Sequence, residues 1–290
     1  MTEPRPAPIA ELRASDAWQA IDFISDLHLA EDTPRGIEAW ASYLQRTSAD
    51  AVFILGDLFE AWVGDDARLD NGFEAHCAAV LAVASATRHI AFMVGNRDFL
   101  VGNEMLRACG VQALPDPVVL CAFGERVLLT HGDAWCTADL DYQRLRTEVR
   151  SPAWQATVLA RPLAQRRVLA RQMRAQSELH HAHHTGPWFD VDCATAIGYM
   201  QSANTPTLIH GHTHRPGDEL LAPGFTRRVL SDWDLDHAAT PRAEVLRWRA
   251  SGFMRLSLDE AAAPSTAPNT APNTVPHNVP YTAPTSAAAT

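Results

Sequence analysis

The chain has 290 residues, 47% of them hydrophobic, enough for one sizeable core or two small ones. A net charge of −10 excludes a protein that coats nucleic acid through its overall charge. Five scattered cysteines with no Cys-x-x-Cys pair exclude a disulfide framework and a thiolate zinc site, and point to a reducing compartment.

Residues 1–18, rich in proline, alanine and charge, read as a flexible arm. The main domain is expected over 19–258. Its first short buried strand, 21–25, is followed by Asp26-Leu27-His28. Ile37, Trp40, Ala41 and Leu44 recur at helical spacing over 35–46. Residues 51–55 are five apolar residues in a row, the pattern of a strand buried on both faces, and Gly56-Asp57 follows. A second helix is predicted over 73–86. A third strand, 89–94, ends in Gly95-Asn96-Arg97-Asp98. Strand, helix, strand, helix, strand makes a parallel α/β layer.

The pattern then turns toward β structure. Residues 118–121 and 126–130 flank Gly124 as a hairpin whose second arm leads into His131-Gly132-Asp133. Another strand, 207–210, closes on His210-Gly211-His212-Thr213-His214, and further strands are predicted over 225–231, 243–248 and 253–258. Between them, 135–188 reads as a helical insertion punctuated by Pro152 and Pro162; its stretch 144–174 carries eight arginines and one acid, Glu148. Residues 259–290, with proline every fourth residue from 268 to 284, cannot build a core and are expected to be disordered.

No apolar run approaches the roughly 18–20 residues of a membrane span, and the first residues lack the basic-then-apolar order of a signal peptide. The expectation is a cytoplasmic protein, with attachment to a membrane surface left open.

Five strand ends therefore finish in Asp, His or Asn, at Asp26 with His28, Asp57, Asn96, His131, and His212 with His214. Each i, i+2 pair is expected on one extended strand end, turned toward one centre. Two acids, four imidazoles and an amide can give four ligands to each of two divalent cations if one carboxylate bridges. Such a pair binds phosphoryl oxygens, acidifies a shared water and stabilises in-line transfer.

In this order the motifs resemble the calcineurin-like metallophosphoesterase superfamily over about residues 21–232. The resemblance implies an α/β class fold, an α/β/β/α sandwich with a dinuclear centre. It also implies one metal on Asp26, His28, Asp57 and His214, and the other on Asp57, Asn96, His131 and His212; His210 is no ligand. A finer set is similar to the UDP-2,3-diacylglucosamine pyrophosphatase family: 55–60, 95–100, His131-Gly132-Asp133 with Cys136-Thr137 and Asp139, Arg174-Ala175-Gln176-Ser177, and 209–216. It implies cleavage of UDP-2,3-diacylglucosamine to UMP and 2,3-diacylglucosamine 1-phosphate for lipid A synthesis, by metal-activated attack of water on the α-phosphorus. Two divalent ions, with Mn2+ as the metal, and peripheral attachment to the cytoplasmic face of the inner membrane are implied as well. Asn96, Arg97, Asp139, Ser177 and His212 would then contact substrate, with Arg174 nearby. Asn96, Arg97 and His212 would act in catalysis.

Chemistry supports the arginine. Most superfamily members carry histidine after Gly-Asn, suited to protonating a leaving alkoxide. A guanidinium is no general acid, but it clamps phosphate and stabilises developing charge. Arg97 thus marks a leaving group that needs no proton, as in an anhydride.

Trp154, Val158, Leu159, Leu163, Leu169 and Met173 lay apolar stripes beside the arginines of the insertion. Acyl chains need an apolar groove and an anionic bilayer attracts arginine, so the insertion reads as a substrate lid touching the membrane. The chain departs from the family at His181 and His184, inside His180-His181-Ala182-His183-His184, where the family has an asparagine and a lysine that contact substrate. Neutral imidazole replaces an ammonium poorly. Neither nucleic acid nor an obligate protein partner is expected. Three other readings remain: a different nucleotide pyrophosphohydrolase or phosphodiesterase on the same scaffold, a non-catalytic scaffold, or a nuclease led by the arginine run.

Overall fold

The structure, a computed structural model, describes residues 9–183, 189–263 and 281–282, with the side chains of 9–175 and 189–263. In chain order the elements are β1 (Ala10–Arg13), β2 (Ile21–Ile24), α1 (Pro34–Arg46), β3 (Ala51–Leu55), α2 (Phe73–Ser85), β4 (His89–Met93), α3 (Asn103–Ala108) and β5 (Gln112–Ala113). The hairpin β6 (Val118–Ala122) and β7 (Glu125–Leu129) leads to α4 (Leu140–Val149), α5 (Pro152–Leu159), α6 (Leu163–His183) and α7 (Cys193–Ala203). The chain continues through β8 (Thr207–His210), β9 (Gly217–Ala222), β10 (Phe225–Val229), β11 (Val245–Arg249), β12 (Gly252–Leu256), α8 (Leu258–Ala262) and β13 (Tyr281–Thr282).

These strands form two sheets, in the orders β12-β11-β2-β3-β4-β5 and β13-β1-β6-β7-β8-β10-β9. The unbroken apolar run of β3 is explained by its two faces. Ala51, Phe53 and Leu55 pack between the sheets against Leu120, Val127 and Ile209. Val52 and Ile54 face the opposite way, toward Trp40, Tyr43 and Leu81 of α1 and α2. A third cluster joins Val119, Leu128 and Leu208 to Met200 of α7. The result is an α/β/β/α sandwich, and each large buried side chain contributes about 1.5–3 kcal/mol. The carboxyl ends of parallel β2, β3 and β4 in one sheet, and of β7 and β8 in the other, open at the same edge.

Two expected boundaries are corrected. Residues 10–13 are not part of a loose arm: β1 pairs in parallel with β6 and buries Leu12, and Trp18 packs close behind it. The helix α8 carries the packed body beyond residue 258, with Ala261 buried behind a capping box at Ser257 and Glu260. Within the expected disordered tail, Tyr281–Thr282 pairs antiparallel with β1; residues 264–280 and 283–290 lie outside the described residues.

The helical insertion is tied down by its own arginines. At one end, Arg146 and Arg150 both reach the buried Asp133, and Arg150 also donates to the Gly95 carbonyl at 2.9 Å. At the other, Arg166 forks onto Asp66 and the Val63 carbonyl, and Arg167 meets Asp70 and Glu74. With Arg144 on Asp141 and Arg174 near Glu60, six of the eight arginines are engaged within the chain. Among the described residues, no helix is long and apolar enough to cross a membrane.

Candidate metal centre

The i, i+2 pairs do not sit on extended strand ends, as the spacing suggested. β2 stops at Ile24 and β8 at His210, and the residues that follow turn sharply. Asp26, His28, Asp57, His212 and His214 all adopt left-handed backbone, with φ of 55°, 49°, 52°, 65° and 50°. Non-glycine side chains disfavour this region, so each turn costs about 1–3 kcal/mol and persists only where its surroundings enforce it. The enforcement is visible. The amides of Leu27 and His28 donate to the Asp57 carbonyl at 2.9 and 3.0 Å, Asp26 donates to Gly56, and His212 donates to both Asp26 carboxylate oxygens.

Two glycines of the motifs are explained by close approach. A Cβ on Gly95 would stand 2.1 Å from Asp57 Oδ1, and one on Gly211 would stand 2.2 Å from Asp26 Oδ2. The carboxylates lie where a side chain would otherwise be.

The seven residues named from the sequence converge. His28 Nε2 and His214 Nε2 face each other at 3.2 Å, with Asp26 Oδ1 3.4 Å from His214 Nε2. On the other side, Asn96 Oδ1 lies 2.9 Å from His131 Nε2 and 2.8 Å from His212 Nδ1. Asp57 stands between the groups: Oδ2 is 3.9 Å from His28 Nε2, and Oδ1 is 3.7 Å from His131 Nε2. Asp26, His28 and His214 offer one compact ligand set, and Asp26, Asp57 and His131 another.

The electrostatics suit cations. Burial disfavours a charged His131, yet Asp57, Asp26 and Asp133 hold its pKa up at about 9. Burial, with His131 next to it, pushes His212 down to about 3, leaving a neutral donor. Buried carboxylates with converging imidazoles and an amide oxygen form a hard-to-borderline donor set that fits divalent metals.

Around this centre, the Arg97 amide donates to Asp57 Oδ1 at 2.8 Å and its guanidinium reaches Glu60 at 3.3 Å. Asp139 lines the adjoining cavity and caps α4 by accepting from the Tyr142 amide. Arg174 lines the same cavity. The side chains of Ser177, His181 and His184 lie outside the described residues. His210 turns away: its Nδ1 bonds the Gly211 carbonyl.

Sequence reasoning gave no role to Glu60, Asp98, Asp133 or Asp232. Asp98 accepts from the amides of Gly95, Leu58 and Phe59 and so braces the loops carrying Asp57 and Asn96. Burial and the Asp57 charge push its carboxyl up to about 7. Glu60, Asp98 and Asp133 were in view inside the motifs and Asp232 lay beyond them, but an acid that holds a ligand has the same sequence signature as a solvated loop acid.

One cavity of about 570 Å3 runs from this centre under the insertion. His28, Asp57, Asn96 and His212 mark its polar end, while Trp154, Val158, Leu169 and Met173 form an apolar wall.

Residues 20–216 match the family model described as calcineurin-like phosphoesterase. The chain is similar to a UDP-2,3-diacylglucosamine hydrolase of Aromatoleum aromaticum, 42% identical over 79% of this chain and 93% of that protein. Proteins of the same name from Bordetella pertussis and Chromobacterium violaceum are 41% and 45% identical, over 75% and 74% of this chain and 87% and 90% of their own lengths.

Proposed function

Because this chain belongs to the calcineurin-like phosphoesterase family, we propose that it is a hydrolase cleaving the pyrophosphate of UDP-2,3-diacylglucosamine into UMP and 2,3-diacylglucosamine 1-phosphate. The observation that carries this reading is one continuous cavity with a ligand-rich polar end and an apolar wall. A nucleoside diphosphate fits the first and acyl chains the second.

Asp26, His28, Asp57 and His214 would hold one divalent ion, and Asp57, Asn96, His131 and His212 the other, with Mn2+ the proposed metal. When bound, the two ions lower the pKa of a shared water and neutralise phosphoryl charge. The chain's own residues do the rest. Asp57 would serve both ions, with its two oxygens already aimed at different histidines. Arg97, fixed through its amide to Asp57, places its guanidinium at the cavity wall to clamp the diphosphate and stabilise the departing phosphate. Asn96 and His212 contact the reacting phosphoryl group. Asp139 and Arg174 bind substrate from the cavity wall; Ser177, His181 and His184 would extend these contacts.

The insertion acts as a lid over the acyl chains. We place the protein on the cytoplasmic face of the inner membrane, although pairing of six arginines leaves the lid with less charge for lipid than its composition implies. The apolar side chains exposed on it, Leu145, Leu159 and Val168, are the better candidates for that contact.

The test is UMP release by the Mn-supplemented protein from diacylated and unacylated UDP-glucosamine. A strong preference for the diacylated substrate is expected; equal rates would sink the lipid assignment and leave a general nucleotide pyrophosphohydrolase.

A further inference from the structure

Glu60 lies just past the Gly56-Asp57 turn, 13% exposed, with each carboxylate oxygen committed in a different direction. Oε2 lies 2.9 Å from His28 Nδ1. Oε1 lies 3.3 Å from Arg97 Nη1 and 3.5 Å from Nε of Arg174, which is carried on α6 more than a hundred residues further along the chain. Three elements thus meet at one carboxyl group: the first ligand loop, the loop after β4 and the helical insertion.

The consequence follows from imidazole chemistry. A neutral ring carries one proton, and the partner of one nitrogen decides which nitrogen is free to bind metal. A carboxylate 2.9 Å from Nδ1 favours the proton on that nitrogen through its charge, although the contact lies off the N–H line, and so favours an Nε2 lone pair facing His214 and Asp57, where the candidate ligands converge. The arrangement is repeated at the facing ligand. His214 Nδ1 lies 3.6 Å from Asp232 Oδ2, and Asp232 is itself held by Arg242. Both histidines of that metal group therefore show the same pattern of arginine, carboxylate and imidazole, built from unrelated parts of the chain. At Glu60 the arginines differ in kind, since Arg97 and Arg174 also line the cavity.

We propose that Glu60 is a positioning residue, one that fixes His28 as an Nε2 metal ligand and, through the same carboxylate, sets Arg97 and Arg174 at the diphosphate position. The inference rests on the dinuclear reading above. It gives the lid a direct link to the metal group: a substrate phosphate that draws Arg97 or Arg174 toward itself acts on the carboxylate that orients His28.

The discriminating variant is Glu60→Gln. An amide carries no charge, and it cannot set an acceptor beside His28 Nδ1 with one atom and another before two guanidiniums, because its second atom is a donor. The full chain is stripped with chelator and titrated with Mn2+ by calorimetry, with melting followed by circular dichroism. Wild type binds two equivalents. Glu60→Gln is expected to bind one of them about 10–100-fold more weakly, with the melting curve of the stripped protein preserved and KM for the substrate raised. Wild-type affinity at both equivalents in the variant overturns the proposal. Fewer than two equivalents in wild type overturns the dinuclear reading instead.

A second measurement needs no variant fold at that position. Nitrogen NMR of the Zn2+-loaded wild type, with the His28 signals assigned by their loss in His28→Gln, reports which ring nitrogen carries the proton. A proton on Nδ1 is expected; one on Nε2 overturns the proposal.

Discussion

His28 and His214 point their Nε2 atoms at each other across 3.2 Å, one from the turn after β2 and the other from the turn after β8. Each ring has a carboxylate at its other nitrogen. The two Nε2 atoms converge on one point, where a cation would take a lone pair from each ring. Removing metal should accordingly be costly. With metal at a hundred times its Kd, binding adds about 2.7 kcal/mol to stability, several degrees of Tm for a domain of this size. Chelator should lower Tm by about 5–10 °C and abolish UMP release, and added Mn2+ should restore both. A Tm unmoved by chelator would argue against a resident metal.

Asp57 combines a bridging position with left-handed backbone at φ 52°. Asp57→Ala and Asp57→Gly should both be inactive and both lose metal. They should differ in stability, because glycine accepts this backbone without the steric cost that alanine meets. Urea melts of the metal-free proteins should place the glycine variant about 1 kcal/mol above the alanine variant. The reverse order would show that the turn carries no strain.

Gly95→Ala probes the close approach behind the second ligand loop. Its Cβ would meet Asp57 Oδ1 at 2.1 Å, so the carboxylate or the loop must move. A misplacement of about 1 Å at a reacting centre can reduce rate by about 10²-fold. A kcat within twofold of wild type would mean that the loop yields without disturbing Asp57.

For Arg97, removal should lower kcat by about 10²–10³-fold, as for loss of a donor that stabilises transition-state charge. Lysine should restore little, lacking the fork. If wild-type protein hydrolyses alkyl phosphomonoesters faster than pyrophosphates, the anhydride reading of Arg97 fails.

His89, packed against Trp18 at the start of β4, gives a pH dependence far along the strand from the metal centre. Burial pushes it down from 6.5 to about 4. Between those values the unfolded chain takes up a proton that the folded chain refuses. Stability therefore falls as pH drops through this window, is unaffected above it, and levels off below about 4. The full effect is on the order of 3 kcal/mol. His89→Phe should flatten that part of the profile of Tm against pH; an unchanged slope would assign the loss to other groups.

The parallel core of the fold was legible because β3 is apolar on both faces and its run is too short for a helix. β1 was not legible: Ala-Glu-Leu-Arg is four residues of weak alternation, and its strand exists because β6 offers an edge. The ligand residues could be read as a set, but their backbone could not: aspartate and histidine enter left-handed turns more often than most side chains, yet too seldom for their presence to signal one. The partners of the arginine run could not be read for a similar reason. Composition places it on a surface, whereas Asp66, Glu74 and Glu60, which turn it inward, lie about a hundred residues away in sequence.

The strained turns also set how this site would decay. With catalysis under selection, five non-glycine residues hold a backbone that favours glycine or asparagine. Once that selection is lifted, a step toward glycine or asparagine at the histidines relieves backbone strain, whereas at Asp26 and Asp57 it also removes an acceptor for the His212 or Arg97 amide. A descendant kept only as a scaffold would therefore keep its sheets and lose its chemistry in a recognisable order, with glycine or asparagine collecting first where His28, His212 and His214 now stand, and only later at Asp26 and Asp57.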